Sequence, residues 1–412
     1  MRRSLSERIG FAIYECKGLA ACCAPAGSTR TGTTCDENGR GDGPRGIWQL
    51  HDASRMRSGL SEIDQCELHR PYESRILALY FQIADAAVHT ARYATDREHF
   101  KLIIPFCFGL WEVTIRFTLH PVMPFRLDLT VWALRRRSQN SVDLWHDATY
   151  SRVLAVGDQP VLVSVTQQET TLDVTVSGEA LSPVVKRAAI IAIERLLGIK
   201  IDLSDFYRFT SGQPRLKELA QPFRGLKPPR FASVFEAVVN GITCQQLSLT
   251  VGIIFLNRLA ERCGLSFGPG MYAFPRPEDV VRLKESDLRL LGYSGSKARS
   301  LIEIAGSIVE GRLDLTVLEQ LDNQECFERL VSLRGIGRWT AEYVLLRALG
   351  RTNVFPGDDV GARNNLERWL HLRKKLDYER VQRVLHKWKD YGGLIFLHLL
   401  LKSLDEAGSL NS

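Results

Sequence analysis

The residues able to do chemistry gather in 333–366, which reads LRGIGRWTAEYVLLRALGRTNVFPGDDVGARNNL. Gly335 and Gly337 enclose Ile336 and are flanked by Arg334 and Arg338. Glycines at this spacing let a backbone turn tightly and approach a ligand, and the amides that open a following helix are unpaired donors at the positive end of its dipole. Such an end binds an anion, with phosphate the obvious one, and the two arginines favour that reading over a turn built only to join helices. Trp339 and Tyr343 stand four apart, on one face of the second helix, a placement that also suits an ordinary core. Asp358 and Asp359 follow Pro356-Gly357. A carboxylate there caps the next helix, and it can also stabilise a developing cation or activate water.

These residues need helices on both sides to hold them. Apolar spacing predicts one helix before Gly335 and another over 339–349, closed by Gly350 as a C-cap, so 326–349 reads as a helical hairpin. A further helix is expected over 360–370. Upstream, 231–262 reads as one long helix or two, and Gln245-Gln246 interrupts its apolar run. Amides there are costly unless bonded to each other's helices or turned to a ligand. The stretch 291–299 resembles a second, shorter helix-turn-helix in which Lys297 and Arg299 are either phosphate contacts or a solvated face. A final apolar helix over 388–401 is expected to pack back on the hairpin, beyond the basic run Arg373-Lys374-Lys375.

Between about 98 and 200 the pattern changes to period two. Val161, Val163 and Val165 alternate with Leu162, Ser164 and Thr166, and Leu172, Val174 and Val176 alternate with polar neighbours, which predicts an antiparallel hairpin wet on one face. Ser182-Pro183 then supplies N-cap and first turn of a helix ending before Gly198. Residues 1–95 give no fold: a Gly, Ser, Thr and Arg-rich stretch at 27–46 reads as flexible, and 73–93 has a helical pattern. Met-Arg-Arg-Ser at the start lacks an apolar run with a small-residue cleavage site, so an extension or an upstream-start lead is the expectation over a targeting peptide.

The chain has 412 residues, enough for two or three domains, and its formal charge of +7 suits nucleic acid without resembling a histone tail. No window is long and apolar enough to span a bilayer. Nine cysteines lie scattered with no C-x-x-C pair, which argues against a zinc ribbon and suits a reducing compartment.

LRGIGRWTAEY followed by FPGDDVG resembles the helix-hairpin-helix DNA glycosylases, specifically the alkylation-repair branch of DNA-3-methyladenine glycosylase II type. Pro124-Phe-Arg-Leu127, Val142-Asp-Leu-Trp145 and the junction at 197–206 resemble the N-terminal domain of the same enzymes, so the resemblance runs over roughly 115–405. It implies an α+β fold: a mainly helical glycosylase region, 211–412, with an antiparallel sheet-plus-helix module at 96–210. It implies that Asp359 is the catalytic carboxylate, with Asp358 the neighbour to be confused with it. Trp339 and Tyr343 become base-stacking walls, electron-rich rings favouring a cationic alkylated purine. Arg334, Gly335, Ile336, Gly337, Arg338 and Thr340 become the DNA grip, and Gln246, with Gln245 beside it, the wedge filling the gap left by a flipped nucleotide. Trp339 occupies the place of the lysine nucleophile of bifunctional relatives, which points to a monofunctional hydrolase leaving an abasic site.

Leu400 and Gly392 depart from the bacterial type, at an aromatic pocket position and a common arginine respectively, and Trp132 is a candidate replacement for the missing aromatic. No cofactor and no metal are expected. Some relatives carry a C-terminal four-cysteine iron-sulfur loop, but no cysteine follows Cys326; a monovalent cation at the hairpin is compatible with the resemblance. The expected partner is double-stranded DNA bearing 3-methyladenine, 3-methylguanine or 7-methylguanine, bound by a monomer in the cytoplasm of a bacterium or the nucleus of a eukaryote. Two alternatives stand beside this reading: an oxidised-purine glycosylase with lyase activity, against which Trp339 argues, and a non-catalytic DNA-binding module, which has no need of Asp359.

Overall fold

A computed structural model of the chain describes residues 113–411, all within one compact unit. The expected features of residues 1–95, including the helix over 73–93, lie outside the described residues. Strand β1 (Val113–Leu119) leads into helix α1 (Leu127–Arg135), and then come β2 (Leu144–His146), β3 (Thr149–Val156), β4 (Gln159–Gln168), β5 (Thr171–Gly178) and α2 (Pro183–Leu197). The strands form one antiparallel sheet in the order β1-β5-β4-β3-β2. Two-residue turns join β3 to β4 and β4 to β5, with the first turn residue of each in the left-handed region, Gly157 at φ 58° and Glu169 at φ 49°, which lets the turn match the right-handed twist of the strands. Alternation decides which face is dry: Val161, Val163, Val165, Leu172, Val174 and Val176 are buried against Ala189 and Ile193 of α2. The predicted Ser182 cap is present, accepting from the Val185 amide, and Gly198 ends α2 at φ 58°.

Short helices α3 (Ser204–Ser211) and α4 (Pro214–Ala220) lead to α5 (Val234–Cys244) and α6 (Leu249–Cys263). A small hairpin, β6 (Ser266–Gly268) and β7 (Met271–Tyr272), precedes α7 (Pro277–Val280), α8 (Glu285–Leu290) and α9 (Gly295–Val309). The hairpin helices are α10 (Asn323–Val331) and α11 (Arg338–Arg347), followed by α12 (Val360–Leu370), α13 (Tyr378–Leu385) and α14 (Gly392–Glu406). Helix α10 starts earlier than its apolar spacing suggests, because Asp322 and Glu325 form a capping box. Helix α11 stops at Arg347, and Gly350 takes φ 71° in the loop beyond rather than closing the helix.

Two apolar cores hold these layers together, and they do not divide at residue 210. One joins the sheet and α2 to α5, α6, α9 and the hairpin; the other packs the opposite face of α1 with α3, α4 and α12–α14. A buried ion cluster reinforces the first, with Arg152 of β3 bonded to Asp143 and to Glu236 of α5, both at 2.7 Å. Helix α14 packs chiefly on α12, α1 and α4, and it touches α11 where Gly393 meets Leu346. The expected packing on the hairpin is therefore mostly replaced, because nearly every face of α14 is apolar and is buried in the second core.

Candidate active site

The GIG turn is built by close approaches. Gly335 takes φ 83°, and a Cβ there would fall 2.4 Å from Ser300 Oγ on α9. Gly337 is the N-cap of α11 with no side-chain partner, and space above it is open. The amides opening α11 therefore point outward without a capping side chain, as an anion site requires. Gly241 of α5 lies against the same helix: a Cβ there would meet Thr340 Cγ2 at 2.6 Å.

Asp359 is the N-cap of α12. Its Oδ1 accepts from the Ala362 amide at 2.8 Å and its Oδ2 from the Trp339 indole N–H at 3.0 Å. The carboxylate is thus oriented from two directions while remaining only partly buried. Asp358 instead accepts from Arg338 Nε at 2.8 Å, which separates the two neighbouring aspartates by partner. Trp339 lies half-buried over Tyr343, ring centroids 5.4 Å apart and planes 23° off parallel.

Beneath the stack, Arg136 donates to the Tyr343 hydroxyl and to Asn240 Oδ1, both at 2.7 Å. It reaches them because it ends α1 in the left-handed region, φ 63°. Burial pushes the Tyr343 hydroxyl pKa up, against Arg136 and Arg347. Glu342, also buried, accepts from Tyr378 Oη at 2.6 Å and from the Gly357 amide at 3.0 Å; burial raises its pKa, opposed by those two bonds.

The predicted residues divide accordingly. The structure brings together Asp359, Trp339, Tyr343, Gly335, Gly337 and Arg338, and Arg334 is exposed at the hairpin with Glu303 at 3.4 Å. Ile336 and Thr340 are buried, so their side chains offer no DNA contact, and Thr340 Oγ1 accepts from Gln245 at 2.8 Å. Gln245 also donates to Gly335 O at 2.8 Å, tying α5 to the hairpin turn. The glutamines do not sit mid-helix: α5 ends at Cys244, and Gln246 projects from the turn at φ 55°, exposed. Lys297 donates to the Thr243 and Gln245 carbonyls at 2.9 and 2.6 Å, capping α5 rather than facing phosphate.

Trp132 is a correction. Its ring is 1% exposed inside the second core, with Arg135 over it, so no base can stack there. At Gly392 a Cβ would meet Asn353 O at 2.9 Å, which leaves no room for a side chain, and Leu400 packs against the second core. Arg136, Asn240 and Tyr378 escaped sequence reasoning, since each meets the site from a distant stretch, and Glu342 did although it lies within the motif, because its partner hydroxyl comes from Tyr378, 36 positions away. The Arg135-Arg136-Arg137 run was the one local signal, and it does not say which arginine turns inward. Among the described residues no group of His, Cys, Asp or Glu is placed to hold a metal ion. No described helix is long and apolar enough to cross a membrane.

An α+β scaffold with a GIG hairpin in front of a carboxylate-capped helix defines a base-excision architecture, and residues 239–390 match the HhH-GPD superfamily of base excision DNA repair proteins. The chain belongs to that family. It is 31% identical to DNA-3-methyladenine glycosylase 1 of Schizosaccharomyces pombe over 39% of this chain and 68% of that protein. It is 30% identical to a DNA-3-methyladenine glycosylase of Bacillus subtilis over 46% of this chain, and spans 64% of that relative's length. The solved 3-methyladenine DNA-glycosylase of Archaeoglobus fulgidus superposes with a TM-score of 0.63 at 26% identity, over 71% of this chain and 99% of that one.

Proposed function

We propose that this protein is a monofunctional DNA glycosylase that extrudes an alkylated nucleotide from double-stranded DNA and hydrolyses its N-glycosidic bond, leaving an abasic site. The observation that carries the reading is the Trp339 indole, which stacks on Tyr343 and donates to Asp359 Oδ2 at 3.0 Å. One residue thus joins an aromatic wall to a carboxylate. The names borne by the relatives, DNA-3-methyladenine glycosylases, support 3-methyladenine as a substrate, and the cationic character shared by 3-methylguanine and 7-methylguanine extends the proposal to them.

In this reading the outward amides at Gly337 and the Arg334 and Arg338 guanidinium groups hold the phosphate backbone, and Gln246 fills the vacated stack. A flipped purine that carries positive charge lies against the electron-rich face of Trp339. As the bond to C1′ lengthens, positive charge grows on the sugar, and the ionised Asp359 stabilises it and accepts a proton from the attacking water. A cationic base leaves without prior protonation, so the mechanism needs no second acid. Tryptophan cannot form a Schiff base, and this supports hydrolysis without strand nicking.

Incubation with methylated duplex DNA and identification of the freed bases tests the proposal, with 3-methyladenine and 7-methylguanine expected. Failure to release any methylated base would refute it. A borohydride-trapped enzyme–DNA adduct would replace it with the lyase reading.

A further inference from the structure

The turn that presents Asp359 is closed by the Asp359 amide donating to Pro356 O at 3.0 Å, so Gly357 and Asp358 are its two central residues. Both are held from outside. Gly357 N–H donates to Glu342 Oε2 at 3.0 Å, and Asp358 Oδ2 accepts from Arg338 Nε at 2.8 Å. Arg338 lies 3.9 Å over the ring of Tyr378, the first residue of α13, and Tyr378 returns its hydroxyl to Glu342 Oε1 at 2.6 Å. A ring of five residues therefore closes around the turn: Glu342, Gly357, Asp358, Arg338 and Tyr378. Arg338 and Glu342 are four apart and share one face of α11, next to the face on which Trp339 and Tyr343 are likewise four apart.

We infer that Glu342 and Tyr378 are positioning residues for Asp359: they fix the turn so that the carboxylate stays registered against the Trp339 wall. The inference rests on the glycosylase reading above. Glu342 is only 6% exposed and its two oxygens accept from a tyrosine hydroxyl and a backbone amide on different elements, with no ion pair to it among the described residues, a costly burial for a carboxylate. The site gains two anchors for the cost. Gly357 has no space for a side chain, since a Cβ would sit 2.7 Å from Tyr378 Cδ2, so the aromatic ring also sets the height of the turn. The same ring orients Arg338, so the arginine at the phosphate grip and the turn bearing the carboxylate share one support.

The test measures single-turnover release of 3-methyladenine from methylated duplex by the full chain, beside affinity for undamaged duplex and midpoint of urea unfolding. Glu342→Ala should lower the rate by about 30-fold, the size expected for ångström-scale misplacement, while affinity for undamaged DNA stays within about twofold. Glu342→Gln should recover most of the rate, because the amide oxygen still accepts from Gly357 and the amide nitrogen can donate to the Tyr378 oxygen. Tyr378→Phe, which removes one half-buried hydroxyl and keeps the ring, decides the matter should the alanine variant fail to fold; a drop of about 5-fold at unchanged affinity is expected. An unaltered rate in folded Glu342→Ala or in Tyr378→Phe overturns the inference, and so does a Gln variant as slow as the Ala variant. A parent protein that releases no methylated base overturns the function proposal itself, which is a different result from variants that match an active parent.

Discussion

Trp339 Nε1 donates to Asp359 Oδ2 at 3.0 Å while the same indole stacks 5.4 Å from Tyr343. One side chain therefore both walls the base site and orients the carboxylate. Trp339→Phe keeps a ring for stacking but removes the N–H, a bond to a charged acceptor worth about 1.5–3 kcal/mol. If that bond acts in the transition state, single-turnover excision should slow by roughly 10–100-fold with little change in DNA affinity. A variant that loses affinity and keeps its rate would assign Trp339 to binding alone.

Asp359→Asn separates catalysis from folding. Asparagine caps a helix as well as aspartate does, so the bond to the Ala362 amide should persist and the unfolding midpoint should move little. Without an ionised carboxylate, release of methylated bases should fall below detection while duplex binding remains. Methylated DNA incubated with equal amounts of folded parent and variant gives the comparison, and full activity in the variant would remove Asp359 from the mechanism.

The site was legible in sequence to the extent that its chemistry is local. Gly335, Gly337, Trp339, Tyr343 and Asp359 fall within one stretch of helix, turn and cap, whose spacing is set by short-range geometry. The sheet was equally legible, because β4 and β5 alternate cleanly between a dry and a wet face. Residues that reach the site through the fold were not. Arg136 meets Tyr343 across 207 positions, and Tyr378 meets Glu342 across 36, so neither leaves a local pattern. Trp132 misled for the same reason: a large aromatic near a suspected gap is more often core, and α1 turns it towards α14 rather than towards the stack.

Arg136 should matter for stability as well as geometry. Arg136→Met removes both donors and leaves the buried Tyr343 hydroxyl and Asn240 carbonyl without their 2.7 Å partners. Unpaired buried polar groups cost about 1–3 kcal/mol each, so a loss of a few kcal/mol in urea unfolding is expected. Excision should slow with it, since Tyr343 supports the Trp339 ring. The double variant Arg136→Met with Tyr343→Phe removes one of the stranded groups and should recover part of the lost stability; strictly additive losses would show that the two residues are not coupled.

His398 gives a pH dependence with a definite sign. It is fully buried on α14, its Nδ1 lies 2.7 Å from the Leu394 carbonyl, its Nε2 has no partner, and Phe206 lies 5.4 Å away. Burial pulls its pKa down from 6.5 to about 4, against the Leu394 carbonyl, which favours the proton. The folded chain therefore holds this imidazole neutral between those values, whereas the unfolded chain takes up a proton. Its contribution is fully present above pH 6.5 and is lost as pH falls towards 4, by roughly 3 kcal/mol in all. His398→Leu cannot bind that proton, so the difference in unfolding free energy between parent and variant should shift by this amount from pH 7 to pH 4, with the variant gaining relative to the parent. Carboxylates that titrate in the same window cancel in the difference. Parallel stability curves for the two proteins across that range would show that the buried imidazole does not govern the acid limb.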